Sequence, residues 1–187
     1  MSFNTNQDDS YCTFEDYAAL DDGNRYELHN GKLYMMSGPS QFHAEISLAI
    51  ASQLFNYLID KPCRVYHAPF DVRLWENEDT VYQPDVLVVC DLSKLNGKLC
   101  TGAPDFIVEV LSPSTKLNDK TIKFNHYREA GVKEYWIVDP DDKTVMALRL
   151  IDKVYAIQIY TENDKAPVQA LEGFQIDLSL VFQNAPE

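Results

Sequence analysis

Two acids and one lysine, carried by three separate stretches of the chain, are the residues whose types and spacing could do chemistry. Asp85 lies in Gln83-Pro84-Asp85-Val86-Leu87-Val88-Val89, Glu109 in Phe106-Ile107-Val108-Glu109-Val110-Leu111, and Lys123 in the helical stretch that follows. Both acids sit in segments that otherwise read as buried β-strand. A lone carboxylate there costs about 2 kcal/mol or more, so each needs a partner. A divalent metal ion is one such partner. Mg²⁺ is typically held by one or two carboxylates together with substrate phosphate and water. Such an ion lowers the pKa of a bound water and steadies a leaving oxygen. A nearby lysine adds positive charge where a phosphate gains negative charge, or orients the water. The pattern points to metal-assisted hydrolysis.

Strand side chains alternate faces, so Glu109 shares one with Ile107 and Leu111, and Asp85 shares one with Leu87 and Val89. If the two strands are neighbours, both acids converge at one end of a sheet. On the following helix, Asp119, Lys123 and Tyr127 are four residues apart and lie on one face, from which Lys123 could reach back over the strand end. The same spacing admits a surface ion pair between Asp119 and Lys123, worth only about 0.2–0.5 kcal/mol. Asp105 rivals Asp85 because Pro104-Asp105 repeats the Pro-Asp dipeptide. Its distance from Glu109 along one strand is about 13 Å, too far to share an ion, and it reads as a strand-start residue. Glu27, in an alternating strand between Tyr26 and Leu28, is either a third acid facing the site or a solvent-facing strand glutamate. His43, at the start of a long helix, is a weaker candidate whose ordinary role is structural or capping.

These residues need elements to hold them. Residues 14–20 read as a short helix. Arg25–Leu28 and Lys32–Met36 flank His29-Asn30-Gly31, a strong hairpin signal. Ser40 is a good N-cap for a helix running to about Ile59, with Ala44, Leu48, Ala51, Phe55 and Leu58 at helical spacing and Ile50 and Leu54 widening the stripe. Residues 64–74 read as one strand, 79–90 contain a second, 91–104 are a loop, and 105–111 are an interior strand, apolar on both faces. Ser112–Thr115 is a turn, and a helix from about Leu117 to Ala130 stops at Gly131. Glu134–Val138 is a fourth strand. Residues 144–150 and 154–160 form a C-terminal hairpin, 164–167 a loop, and 174–177 one more short strand. The order predicts an α/β (mixed α+β) domain over 13–187 behind a loose polar tail over 1–12: a mixed central β-sheet flanked by helices, with N-terminal and C-terminal hairpins.

Composition sets the outer limits. The chain has 187 residues, 45% hydrophobic and 12% aromatic, which suits a folded protein with a full core. No apolar run approaches the roughly 20 residues of a membrane span, and the N-terminus does not read as a signal peptide. Cys12, Cys63, Cys90 and Cys100 show no C-x-x-C spacing. They predict neither a zinc site nor a disulfide framework, and a reducing cytoplasm fits best. The net charge of −13 argues against a nucleic-acid binder. The lysines and arginines between 94 and 133 nevertheless allow a local basic rim on an acidic body.

Taken together, several motifs in order resemble the PD-(D/E)XK nuclease superfamily, and more narrowly the bacterial Uma-type restriction-endonuclease family. They are Arg25-Tyr26-Glu27-Leu28 with Gly31, Pro39-Ser40 with His43, and Gln83-Pro84-Asp85-Val86. Next come Glu109 through Thr115 with Asp119, Lys123 and Tyr127, and finally Gly131 through Pro140. The resemblance covers roughly residues 14 to 160. It implies a restriction-endonuclease-like core, a DNA substrate, and ligation of Mg²⁺ (or Mn²⁺) by Asp85 and Glu109 with the Val110 carbonyl as an extra ligand. Glu27 would be an auxiliary acid. One departure stands out: the superfamily places its lysine two residues after the glutamate, where this chain has Leu111. The resemblance implies that the lysine has moved to the following helix as Lys123.

Three functional readings follow. The leading one is a metal-dependent DNA endonuclease using Asp85, Glu109, Lys123 and Glu27. The second, motivated by the net charge and by Leu111, is a non-catalytic nucleic-acid or protein interaction module on a nuclease-like scaffold. The third is a hydrolase of smaller phosphate compounds. A homodimer suits a two-stranded cut.

Overall fold

The computed structural model describes residues 11–112 and 119–184. The expected tail over 1–10, and most of the turn and helix start expected over 112–118, lie outside the described residues. Residues 11 and 12, assigned to the tail, are tied down: the Tyr11 hydroxyl donates to Asp79, and the Cys12 N–H donates to the Gly31 carbonyl.

Helix α1 (Phe14–Ala18) is closed at its start by a capping box between Thr13 and Asp16. Strands β1 (Tyr26–His29) and β2 (Lys32–Met35) form the N-terminal hairpin, in register from Tyr26↔Met35 to His29↔Lys32. Asn30 and Gly31 both have positive φ, as a two-residue turn of this kind requires. At Gly31 there is a second constraint, because a Cβ would fall within 2.2 Å of the Tyr11 ring.

Helix α2 (Gln41–Leu58) starts where expected, with the Ser40 side chain accepting from the His43 N–H. Its buried face is rotated from the expected one. Ile46, Ile50, Leu54 and Leu58, with Ala51, are buried, whereas Leu48 and Phe55 are 65% and 60% exposed. The helix is apolar nearly all round, so spacing alone does not choose the face.

The principal sheet has six strands in the order β11-β10-β9-β8-β6-β3. Its members are β3 (Arg64–His67), β6 (Val86–Val89), β8 (Phe106–Val110), β9 (Glu134–Asp139), β10 (Thr144–Ile151) and β11 (Val154–Thr161). All pairs are antiparallel except β8 with β9. A second sheet, β2-β1-β5-β4-β7, adds β4 (Val72–Arg73), β5 (Val81–Tyr82) and β7 (Cys100–Thr101).

This division corrects two expectations. Residues 64–74 are not one strand: the chain leaves the principal sheet at the cis Ala68–Pro69 bond and enters the second sheet as β4. Residues 79–90 divide in the same way at Gln83-Pro84, where proline lacks the N–H a ladder would need. The loop expected over 164–167 is also a strand, β12 (Lys165–Pro167), paired with β13 (Gln175–Asp177) ahead of the short helix α4 (Leu178–Val181). The loop after β6 holds a 3₁₀ turn over Leu92–Lys94 as well as β7.

Each face of the principal sheet has its own core. On one, Val86, Val88, Phe106, Val108, Trp136 and Val138 pack against α2 and the C-terminal elements. On the other, Leu87, Val89, Ile107, Leu111, Tyr135 and Ile137 pack against Tyr82 and Val72 of the second sheet and Tyr127 of helix α3 (Phe124–Ala130). A π-helical turn over Asp119–Lys123 leads into α3, which ends at Gly131 with φ 90°.

One cysteine expectation fails. Cys63 and Cys90 form a disulfide. The reason is register: Arg64 pairs with Val89, so the next residues out, Cys63 and Cys90, face each other across the ladder. Cys12 and Cys100 are free. Among the described residues, no helix is long and apolar enough to cross a membrane.

Candidate active site

The register of β6 and β8, Val86↔Val108, places Asp85 opposite Glu109 when extended by one residue. Directly opposed residues share a face, with Cβ atoms about 4.5–5.5 Å apart. The two acids therefore converge at one end of the principal sheet, since β6 and β8 are the neighbours that the expectation required. Asp85 lies on the short link between the two sheets. Its Oδ2 accepts from the Val110 N–H at 2.7 Å, and His43 Nε2 lies 3.1 Å from the same oxygen. The β-strands set the acids, and the start of α2 supplies the imidazole.

Lys123 reaches the site. Its Nζ is 2.9 Å from Glu109 Oε1, 2.9 Å from Glu27 Oε1 and 3.4 Å from Asp119 Oδ1. It is 3% exposed, which overturns the surface-ion-pair reading of Asp119 and Lys123. Glu27 is likewise buried rather than solvent-facing. Its Oε1 also accepts from the Gln83 N–H, and its Oε2 lies 3.1 Å from His29 Nε2. The Tyr127 hydroxyl donates to Glu109 Oε1 at 2.8 Å. Tyr127 and Lys123 therefore both bind the same glutamate oxygen from one helical face.

The cluster carries excess negative charge. Glu27, Glu109 and Asp119 are three carboxylates around one ammonium, and Asp85 adds a further like charge beside Glu109. Burial works against charge on Lys123, but Glu109, Glu27 and Asp119 outweigh it and hold the amine well above its ordinary value. Lys123 is thus a fixed cation, not a base. Burial also pushes Glu27 up, yet Lys123, His29 and the Gln83 N–H prevail and bring it down to about 2. Glu109 goes the other way. Burial raises it first, Lys123 pulls it down, and the like charges on Asp119, Asp85 and Glu27 leave it well above the usual carboxylate range. Burial lowers His43, but its contact with Asp85 raises it further.

The residues fit a divalent cation in a limited sense. Among the described residues, no three carboxylate, imidazole or thiol groups form a ready metal cage. The set is instead two opposed carboxylates, as Mg²⁺ uses when phosphate and water complete its sphere. One oxygen of each is engaged by the protein, and Glu109 Oε2 and Asp85 Oδ1 accept no hydrogen bond among the described residues. The surplus negative charge also favours a cation.

Other candidates fall away from the site. Asp105 is structural, accepting from the Cys90 N–H at 2.7 Å and from Lys133 Nζ at 2.6 Å. The expected basic rim is partly paired: Lys133 pairs with Asp105, Lys120 with Asp139 and Arg128 with Glu129, while Lys94 donates to the Ala103 carbonyl and keeps its charge, and Lys116 lies outside the described residues. His29 was missed by sequence reasoning, which placed it in the turn. It is two residues past Glu27 on the same strand, and alternation could have assigned it to the same face.

A solved structure carries a similar fold, and two further proteins are similar in sequence. In a crystal structure of a putative nuclease belonging to DUF820 from Anabaena variabilis, the fold matches at a TM-score of 0.75 with 19% identity, over 91% of this chain and 97% of that one. Two relatives come from Synechocystis sp., both uncharacterised. Protein slr1290 is 30% identical over 161 residues, 85% of this chain and 84% of its own length. Protein sll1609 is 29% identical over 117 residues, 60% of this chain and 65% of its own length. The family model described as putative restriction endonuclease matches residues 14–179. With that match over most of its length, the chain belongs to the Uma2 family of putative restriction endonucleases.

Proposed function

We propose that the chain is a Mg²⁺-dependent DNA endonuclease, with Mn²⁺ as an alternative ion, that hydrolyses phosphodiester bonds. The observation that carries this reading is the position of the Lys123 ammonium, 2.9 Å from both Glu109 and Glu27, at the sheet end where Asp85 faces Glu109. Asp85, Glu109 and the Val110 carbonyl would hold the ion. When bound, it would supply an acidified water and charge for the leaving oxygen. The Val110 N–H and His43 fix the Asp85 carboxylate, so its other oxygen is pre-aimed. Lys123 stays protonated and offsets charge that builds on the scissile phosphate. Glu27 holds Lys123 in place and is itself anchored by the Gln83 N–H and His29. Tyr127 and Lys123 fix one Glu109 oxygen, and occupancy by a cation favours the ionised form of that acid.

Purified protein should nick or cut DNA with Mg²⁺ or Mn²⁺, and Asp85→Asn and Glu109→Gln should each abolish cutting. No cutting on supercoiled, linear and single-stranded DNA with either ion, or unchanged cutting by either variant, overturns the proposal.

The partial pairing of the basic residues favours one alternative, a non-catalytic interaction module on the same scaffold. Isothermal titration with Mn²⁺ separates the two: saturable binding lost in Asp85→Asn supports the nuclease, and its absence supports the module. A homodimer in the cytoplasm completes the proposal: sedimentation at monomer mass would remove its dimeric part, and the cytoplasmic part requires that Cys63 and Cys90 stay reduced there.

A further inference from the structure

The β1–β2 hairpin and the helical segment on either side of Lys123 (Ile122, Asn125 and His126) enclose an open cleft of about 420 Å³ that neither Asp85 nor Glu109 lines. His29, Asn30, Lys32 and Tyr34 form one wall, and Asn125 and His126 form the other. These two elements also carry Glu27 and Lys123. The cleft is thus built beside the candidate active site by the same strand and the same helix.

Three features give it a chemistry. None of its lining residues is acidic, in a chain with 29 Asp and Glu among 187 residues. Lys32 is exposed at its mouth and has no acid partner among the described residues. His29 is 4% exposed, its Nε2 faces Glu27, and its Nδ1 is buried with no hydrogen-bond partner among the described residues. A buried polar atom without a partner is costly, and the residue that carries it lines the cleft. A phosphate oxygen entering the cleft would reach that nitrogen after a small shift of the ring, accepting from it when it carries the proton, or would meet it through a bridging water. On the opposite wall the Tyr82 hydroxyl lies 2.6 Å from His126 Nδ1; with the hydroxyl donating to that nitrogen, Nε2 carries the ring proton and is the donor.

We propose that this cleft is a phosphate subsite. It holds the nucleic-acid backbone phosphate neighbouring the one that is cut, with Lys32 as the fixed charge and His29 and His126 as hydrogen-bonding groups. The inference rests on the nuclease reading above and adds how an acidic protein grips a polyanion: through a local acid-free cleft rather than a basic surface.

The test uses the full chain and a short DNA whose phosphates are replaced one at a time by uncharged methylphosphonate, with binding followed by fluorescence anisotropy in Ca²⁺. In wild type, one replacement next to the scissile linkage weakens binding, and Lys32→Gln removes sensitivity to that replacement only. The slope of log affinity against log salt should also fall in magnitude by about 0.7–0.9, one phosphate contact. Lys153→Gln, which removes a charge at the β10–β11 turn and none from the cleft lining, should leave the slope and the replacement profile as in wild type. If wild type cuts DNA but Lys32→Gln keeps the wild-type slope and profile, the subsite is overturned and the nuclease reading stands. If wild type neither binds nor cuts DNA, both fall.

Discussion

Replacing Lys123 by Met tests the centre of the site without any assumption about substrate. The change keeps most of the side-chain volume and removes the ammonium from between three carboxylates, at 2.9, 2.9 and 3.4 Å. At 3% exposure, water does not replace it. Removing one partner of a buried pair costs about 3–5 kcal/mol, because the other charge is left uncompensated. For a chain of this size, about 1 kcal/mol shifts the melting temperature by about 2–4 °C, so Lys123→Met should lower it by roughly 6–20 °C. Lys120→Met is the matched control. Lys120 is 38% exposed and 3.8 Å from Asp139, and an exposed pair of this kind is worth at most about 1 kcal/mol.

The assay is thermal unfolding in EDTA near neutral pH, followed by intrinsic fluorescence. A second arm adds Glu27→Gln. The loss in the double variant should fall short of the sum of the single losses, by about 0.5–3 kcal/mol, because each change removes the other's partner. Lys123→Met melting within 2 °C of wild type, or strictly additive losses, would refute the ammonium as the hub of this cluster.

Glu109→Gln should leave the metal-free protein more stable than wild type at pH 8 while abolishing cutting. Glu109 is raised well above 4.5, so its stabilising contribution is present below that value and is lost as pH rises toward the folded value. Gln carries no proton to lose, so a variant no more stable than wild type at pH 8 in EDTA would refute this. The opposite sign holds for Glu27, depressed to about 2: its contribution is present above 4.5 and lost as pH falls toward 2. Acid unfolding should therefore move to higher pH in Glu27→Gln, and an unchanged acid midpoint counts against it. Thiol titration of unfolded protein should find two reactive cysteines without reductant and four with it, since Cys63 and Cys90 are bonded. Four reactive thiols without reductant would place the protein in its reduced form.

The parts of the site that were legible in the sequence are those set by local rules. Alternation gave the face of Asp85 and of Glu109 within each strand, with their meeting conditional on the strands being neighbours, and the four-residue spacing aligned Asp119, Lys123 and Tyr127. The Asn-Gly turn and the Ser40 cap marked their elements correctly. What was hidden depends on which strands become neighbours. The disulfide follows from the β3–β6 register, and neither cysteine carries a local signal of it. The second sheet arises because the chain crosses between layers at Pro69 and Pro84, two points that read only as breaks within a strand. Glu27 enters the site because the second sheet folds over the first, which no periodicity within β1 could reveal. The face of α2 was ambiguous for a different reason: with Leu, Phe and Ile on nearly every side, the sheet rather than the helix decides what is buried.

The departure at Leu111 then has a physical account. Leu111 sits on the Glu109 face, 5% exposed, within the core that also holds Tyr127 and Ile137. The chemistry needs a cation beside Glu109 and does not depend on the element that supplies it. Here the π turn and α3 lie over the strand end and deliver Lys123 from above. That frees position 111 to be a core residue. If location is what counts, moving the lysine back should work. Lys123→Leu alone should lose cutting, and Lys123→Leu with Leu111→Lys should recover a measurable part of it, provided both fold by circular dichroism. A folded double variant that binds Mn²⁺ as wild type does but cuts no better than Lys123→Leu would show that the helix contributes more than charge.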